Sequence, residues 1–255
     1  MTLTTKKTLF FIATILLISS NIAAKATTYE KIWTSILNDN VIVSSKNKVI
    51  TTLVDYSKIK SDPRFPQILS KLNKIDPKNF KFKDQHLAFW INVYNITTIK
   101  IIVENYNNIQ SNESLDIWKN KAISINNKKY SLAEIKNDIL RPFKDPRIHF
   151  ALVNGSISAP NLRQEAYSAS TVDTQLKTQI KAFLQNSSKG LFLNYKKQII
   201  YVSKIFNWFK KDFNTKGGIY NFIQMNTTFN LDYYRIDFLP YDWSANDLGD
   251  PNKKE

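Results

Sequence analysis

Cysteine is absent from the 255 residues. That excludes disulfides, a thiol nucleophile, cysteine-ligated zinc and a lipid anchor on cysteine. Histidine occurs only twice, as His86 and His149, so a histidine-rich metal site is excluded too; no metal and no cofactor is expected. Glycine numbers only 5, which rules out collagen-like repetition. Arginine is also scarce. Of 36 basic residues only Arg64, Arg141, Arg147, Arg163 and Arg235 are arginine; the rest are lysine. Nucleic-acid readers lean on arginine forks as well as lysine charge, so nucleic acid is not expected as a partner. The formal charge of +15 fits attraction to anionic lipid or glycan. It also fits an A/T-rich coding bias, which favours Lys, Asn and Ile together.

What is present starts with a short basic stretch, Lys6-Lys7, then an apolar run from Leu9 to Ile18, then small residues around Ala24-Lys25-Ala26. This order reads as a secretory signal peptide over 1–26. Ten helical residues reach about 15 Å, half of a ~30 Å hydrocarbon core. Export to a periplasmic or secreted location is therefore expected. The alternative is a chain held at the inner membrane by an uncleaved N-terminal segment. No later segment reads as apolar enough to span a membrane. One domain is expected over 28–248, followed by a polar tail at 249–255.

The periodicity predicts helices near 28–37, 63–75, 84–106, 171–184, 204–213 and 219–225. The helix over 84–106 is apolar nearly all round, so it belongs inside the core. Ser131 and Glu134 stand three apart and read as a capping box opening another helix. Strands are expected at 52–56, 122–125, 147–153, 191–195, 199–202 and 233–238, with the pair around Lys196-Lys197 a hairpin. Helices lead and strands gather later. The expectation is an α+β single domain with a buried central helix and a small, mostly antiparallel sheet formed mainly by the second half.

The segment Arg141–Tyr167 carries most of the chemistry. Read as a strand, 147–153 puts Asp145, Arg147 and His149 on one face and Ile148, Phe150 and Leu152 on the other. The loop Asn154-Gly155-Ser156-Ile157-Ser158-Ala159-Pro160 follows. Three of the five arginines fall between 141 and 163, where bidentate geometry would matter amid a lysine excess. One reading is a polar pocket in which Arg147, Asn154 and Arg163 hold a small or peptide-like anionic ligand around His149. A second is a serine-type hydrolase or acyl-transferase, with His149 as base, Ser156 as nucleophile and Asp145 as orienter. A third is a basic protein that adheres to anionic envelope lipid or glycan without a pocket. The structural alternative is an Asp145–Arg147 ion pair beside a satisfied histidine. Asn92 and Asn95 share a face of the central helix. An unpaired amide there would cost roughly 1–3 kcal/mol, so each must reach a loop, a ligand or water, and both are candidate ligand contacts.

The passages FWINVYN (89–95), SLAEIKNDILR (131–141), DPRIHFALVNGSISAPNLRQEAY (145–167), SKIFNWFKKDF (203–213) and FLPYDWSAN (238–246) resemble the bacterial domain-of-unknown-function 547 family. The resemblance implies a single exported or envelope-associated domain and brings no established reaction. It also implies cysteines where this chain has Asn154 and Ala159, and a Glu-His pair where it has Lys136 and Asn137. A carboxamide cannot replace a thiolate as nucleophile. The expectation is a shared fold and pocket serving binding.

Overall fold

The computed structural model describes residues 28–106, 120–229, 231 and 233–249. The leader expected over 1–26 and the expected tail beyond Gly249 lie outside the described residues. Helix α1, Thr28–Asn40, buries Tyr29, Trp33, Ile36 and Leu37, the positions that helical spacing puts on one face. Helix α2, Tyr56–Ser61, starts at Asp55, whose carboxylate accepts from the Lys58 backbone N–H. Helix α3, Arg64–Asn73, follows Pro63 and buries Phe65, Ile68 and Leu72.

These pack around α4, Lys83–Glu104, about 33 Å long at 1.5 Å per residue. Most of its residues are buried on every side, as an all-round apolar pattern demands. Contrary to the expectation that no later segment qualifies, α4 is long and apolar enough to cross a membrane by length and composition. Its apolar surface is enclosed by protein, however, which is the behaviour of a core helix.

The strands form three small sheets. Strand β1, Val41–Lys46, pairs antiparallel with β2, Val49–Val54. Both residues between them, Asn47 and Lys48, have positive φ, the geometry of a tight hairpin that follows strand twist. Strands β3, Lys121–Ile125, and β4, Lys128–Ser131, repeat the device with Asn126 and Asn127. Strand β5, Leu191–Asn194, pairs antiparallel with β6, Ile199–Val202, and β7, Arg235–Phe238, lies parallel to β6. The sheet is thus not formed mainly by the second half. The β1–β2 hairpin stands near the start, directly after α1 with no glycine or proline to mark the change.

A capping box on Ser131 and Glu134 opens α5, Leu132–Glu134, as the spacing predicts. The chain then widens into a π-helical stretch, Ile135–Leu140. Helix α6, Val172–Gln185, leads to Gly190, where an added Cβ would sit 1.7 Å from the Phe183 carbonyl oxygen. The predicted helix over 204–213 is two short helices, α7, Lys204–Trp208, and α8, Lys210–Asn214, broken at Phe209. Helix α9 is Gly218–Asn226. Phe150, Phe206, Phe213 and Phe222 form a second core, with ring centroids 4.9–6.1 Å apart.

The strand expected over 147–153 is not formed. Pro146–Phe150 is a 3₁₀ helix. Asp145 accepts from the Arg147 backbone N–H, and Pro146 presets a helical φ at the first position. This local cap overrides the apolar alternation. With about three residues per turn, Asp145, Arg147 and His149 no longer share a face.

Candidate functional site

His149 is swallowed by the fold: its side chain is 0 % exposed. Its ring stacks on Phe209, centroids 4.0 Å apart and planes within 12°. Nε2 lies 2.8 Å from the Asp212 carboxylate. Asp212 is also gripped by Arg141 through two bonds of 2.8 Å, from Nε and Nη2. That bidentate grip holds the Asp212 carboxyl below the usual carboxylate range. Burial, and then the nearby Lys136 cation, push His149 down to about 4, against the pull of Asp212. The ring is therefore neutral near pH 7. Its one proton belongs on Nε2, which faces the carboxylate, and Nδ1 becomes an acceptor. Nδ1 is buried with no hydrogen-bond partner.

His149 lines a cavity of about 310 Å³. Lys136 and Asn137 reach it from the π-helical stretch, a wide-turn geometry frequent at functional sites. Asn154 and Pro160 come from the loop after the 3₁₀ helix. Trp208, Phe209, Tyr241 and Trp243 supply an aromatic side. The break at Phe209 lets two consecutive aromatics, Trp208 and Phe209, both reach the cavity. Trp208, Tyr241 and Trp243 pack at 4.6–5.4 Å between centroids.

Lys136 Nζ stands 4.0 Å from the centroid of the same Phe209 ring. Among the described residues no carboxylate lies within ion-pair distance of it; Asp212, the acid nearby, is committed to Arg141 and His149. Burial, then the Arg141 charge, bring this amine down to about 8, with Asp212 opposing. Asn137 accepts from Arg141 Nη1 at 3.1 Å. Asn154 Oδ1 takes the Ser156 backbone N–H and lies 2.7 Å from Ser156 Oγ, while its Nδ2 donates to the Tyr241 hydroxyl at 3.1 Å. Ser156 Oγ is also 3.1 Å from that hydroxyl. Gly155 makes this turn with φ +75°, where a side chain would be strained. The segment 155–158 then runs along 242–246 through backbone bonds.

The sequence-chosen residues do not all meet here. Asp145 does not orient His149; it holds Arg147, and Asp212 takes the orienting place. Ser156 is buried and bonded to Asn154 and Tyr241, and no bond joins it to His149, so the imagined Ser156–His149–Asp145 relay is not assembled. Arg147 points elsewhere, paired with Asp145 and with Asp173 at 2.7 Å, on the wall of a different cavity. Arg163 pairs with Glu165 and with Thr178. The expected convergence of these two guanidinium groups on His149 is absent, because the 3₁₀ helix turned Arg147 away and α6 claimed both.

Asn92 and Asn95 serve the backbone. Asn92 donates to Tyr167 O at 2.7 Å and accepts from Tyr167 N at 2.9 Å. Asn95 donates to Ala151 O at 2.9 Å and accepts from Val153 N at 3.1 Å. Each carboxamide thus stitches a loop to the core helix, and neither lines the cavity beside His149. Sequence reasoning missed Lys136, Arg141, Asp212 and Tyr241 as site residues. All four lie inside the quoted passages, but only spatial convergence identifies them.

Residues 77–184 match the family model described as Protein of unknown function, DUF547. The match covers the Lys136, His149 and Asn154 side of the cavity; the aromatic side lies beyond it. No curated protein and no solved structure matches the chain.

Proposed function

We propose that the cavity at Lys136 and His149, partly inside the 77–184 segment that matches the DUF547 family model, binds a small carboxylate-bearing ligand with a planar apolar body. One observation carries the reading. A cation without a carboxylate and a buried imidazole nitrogen without a partner line the same aromatic-walled cavity. Polar groups are seldom left so inside a protein unless something completes them. A carboxylate would complete Lys136. A ligand N–H or O–H would complete His149 Nδ1. Trp208, Tyr241 and Trp243 offer rings for a planar body, with the edge and tilted contacts aromatics favour. Lys136 takes the part that sequence reasoning gave to Arg147. The hydrolase alternative has less support, since Ser156 Oγ bonds Asn154 and Tyr241 and not His149.

The test is a titration of the full chain with benzoate and with uncharged benzamide, followed by tryptophan fluorescence. Trp208 and Trp243 should report saturable binding of benzoate at least about tenfold tighter than of benzamide, since a charge-assisted bond contributes about 1.5–3 kcal/mol. Lys136→Met should erase that preference. Equal affinities, or an unchanged preference in the variant, would remove the proposal. Export belongs to the same proposal, resting on Lys6-Lys7, Leu9–Ile18 and Ala24-Lys25-Ala26. Its check is fractionation of the producing cell, where a mature mass shortened by about 26 residues outside the cytoplasm is expected.

A further inference from the structure

We propose that Lys136 is a nucleophilic amine that condenses with carbonyl compounds entering this cavity, forming an imine. The inference rests on the pocket reading above and goes beyond it, from holding a ligand to reacting with one.

Geometry sets Lys136 apart from the chain's other lysines. Its ammonium lies over an aromatic ring on a cavity wall, no acid among the described residues locks it into an ion pair, and Arg141 is near enough to repel it. A desolvated lysine beside a second cation is the arrangement that releases a free amine near neutrality. The groups acting on it are Arg141, which lowers its proton affinity, and Asp212, which opposes; His149 stands on the same Phe209 ring and is neutral at pH 7. Lys189 is buried too, but its Nζ is saturated by Thr51 Oγ1, Ala159 O and Asn161 Oδ1 at 2.6–2.7 Å. Burial brings it down further, to about 7, but at 2 % exposure and enclosed by its acceptors it meets no carbonyl compound.

The step balances without any outside oxidant or reductant. The neutral Nζ forms a bond to the carbonyl carbon as the C=O π bond breaks. One nitrogen proton ends on the former carbonyl oxygen, giving a carbinolamine. The C–O bond then breaks, the second nitrogen proton leaves with the hydroxyl as water, and C=N remains.

The size of the effect follows from the amine's acidity. With a pKa of about 8, roughly a tenth of Lys136 is unprotonated at pH 7, against roughly 1 in 3,000 for a lysine near 10.4. Lower basicity weakens the nucleophile by about tenfold over that range, if amines follow a slope near that of thiols. The surplus is roughly 20-fold.

The experiment treats the full chain at pH 7 with a limiting amount of benzaldehyde and cyanoborohydride, which fixes imines, and counts adducts by peptide mapping. The Lys136 peptide should carry at least about tenfold more adduct than the mean of the exposed lysines. Lys136→Arg should lose that adduct while its circular dichroism and urea midpoint stay close to those of the parent chain, which shows that the variant is folded. Labelling of Lys136 at the average level while benzoate still binds overturns the amine and leaves the pocket standing. Failure of benzoate to bind, with Lys136 still preferentially labelled, overturns the anion reading and leaves the amine. Average labelling without benzoate binding overturns both.

Discussion

Replacing Asn95 with leucine tests whether the core helix holds the cavity in shape. The two residues are close in size, so the main loss is polar. The Asn95 amide joins Ala151 O and Val153 N, both inside the core, at 2.9 and 3.1 Å. Leucine strands both. An unsatisfied buried group costs about 1–3 kcal/mol, and the gain from a buried apolar side chain offsets part of the sum, so a net loss of about 2–4 kcal/mol is expected. For a chain of this size each kcal/mol lowers Tm by about 2–4 °C, giving a fall of about 5–15 °C. Urea denaturation supplies the free energy, and hydrogen exchange at the Val153 amide supplies the location. Leu152 and Asn154, on either side of that amide, line the cavity, so benzoate affinity should fall as well. Asn92→Leu is the control. It strands Tyr167 N and O instead, which should cost similar stability and leave benzoate binding nearly intact. A loss under about 1 kcal/mol, with Val153 exchanging as slowly as before, would refute the reasoning.

Two further perturbations bear on other parts of the molecule. His149 has a pKa of about 4 in the fold and about 6.5 unfolded, so the unfolded chain binds more protons between these values and stability falls as pH falls through them. Linkage gives a loss of about 2 kcal/mol on going from pH 7.5 to 5, and urea midpoints of His149→Gln should lack that share of the slope. Lys189→Met leaves Thr51 Oγ1, Ala159 O and Asn161 Oδ1 without their shared donor; we expect a loss of about 3 kcal/mol in urea, and an undiminished midpoint would show that water replaces the ammonium.

The elements legible in the sequence are those fixed by local pattern. The all-round apolar run of α4 and the Ser131–Glu134 box lie where periodicity and capping put them. The α+β class was legible for the same reason. What was not legible depended on competition between local and long-range terms. Residues 147–153 alternate like a strand, yet Asp145 and Pro146 wind them into a 3₁₀ helix. The break at Phe209 has no glycine or proline to announce it; it coincides with ring stacking on His149. Asp212 meets His149 across 63 positions, a pairing that no spacing rule can supply. The choice of His149 as a focus rests on residue type, whereas its carboxylate partner stands on a helix 63 positions further along the chain.

The departures from the family pattern implied by the resemblance bear on what the cavity is for. Positions 136, 137 and 154 are separate in sequence, yet all three line one wall system. A wall that only encloses space needs no polar bonding of its own. Two of the three side chains are instead tied into a network: Asn137 is held by Arg141, and Asn154 closes a ring of contacts with Ser156 and Tyr241. His149 Nδ1 is a buried atom without a hydrogen-bond partner, and Lys136 Nζ lies over the Phe209 ring with no carboxylate within ion-pair distance among the described residues. The bonds made by Asn137 and Asn154 thus brace the walls on which Lys136 and His149 sit. A side chain braced in this way keeps its neighbours in one geometry, so the proposed binding is tested most directly by loosening that bracing, and Asn154→Ala should weaken benzoate binding without removing Lys136.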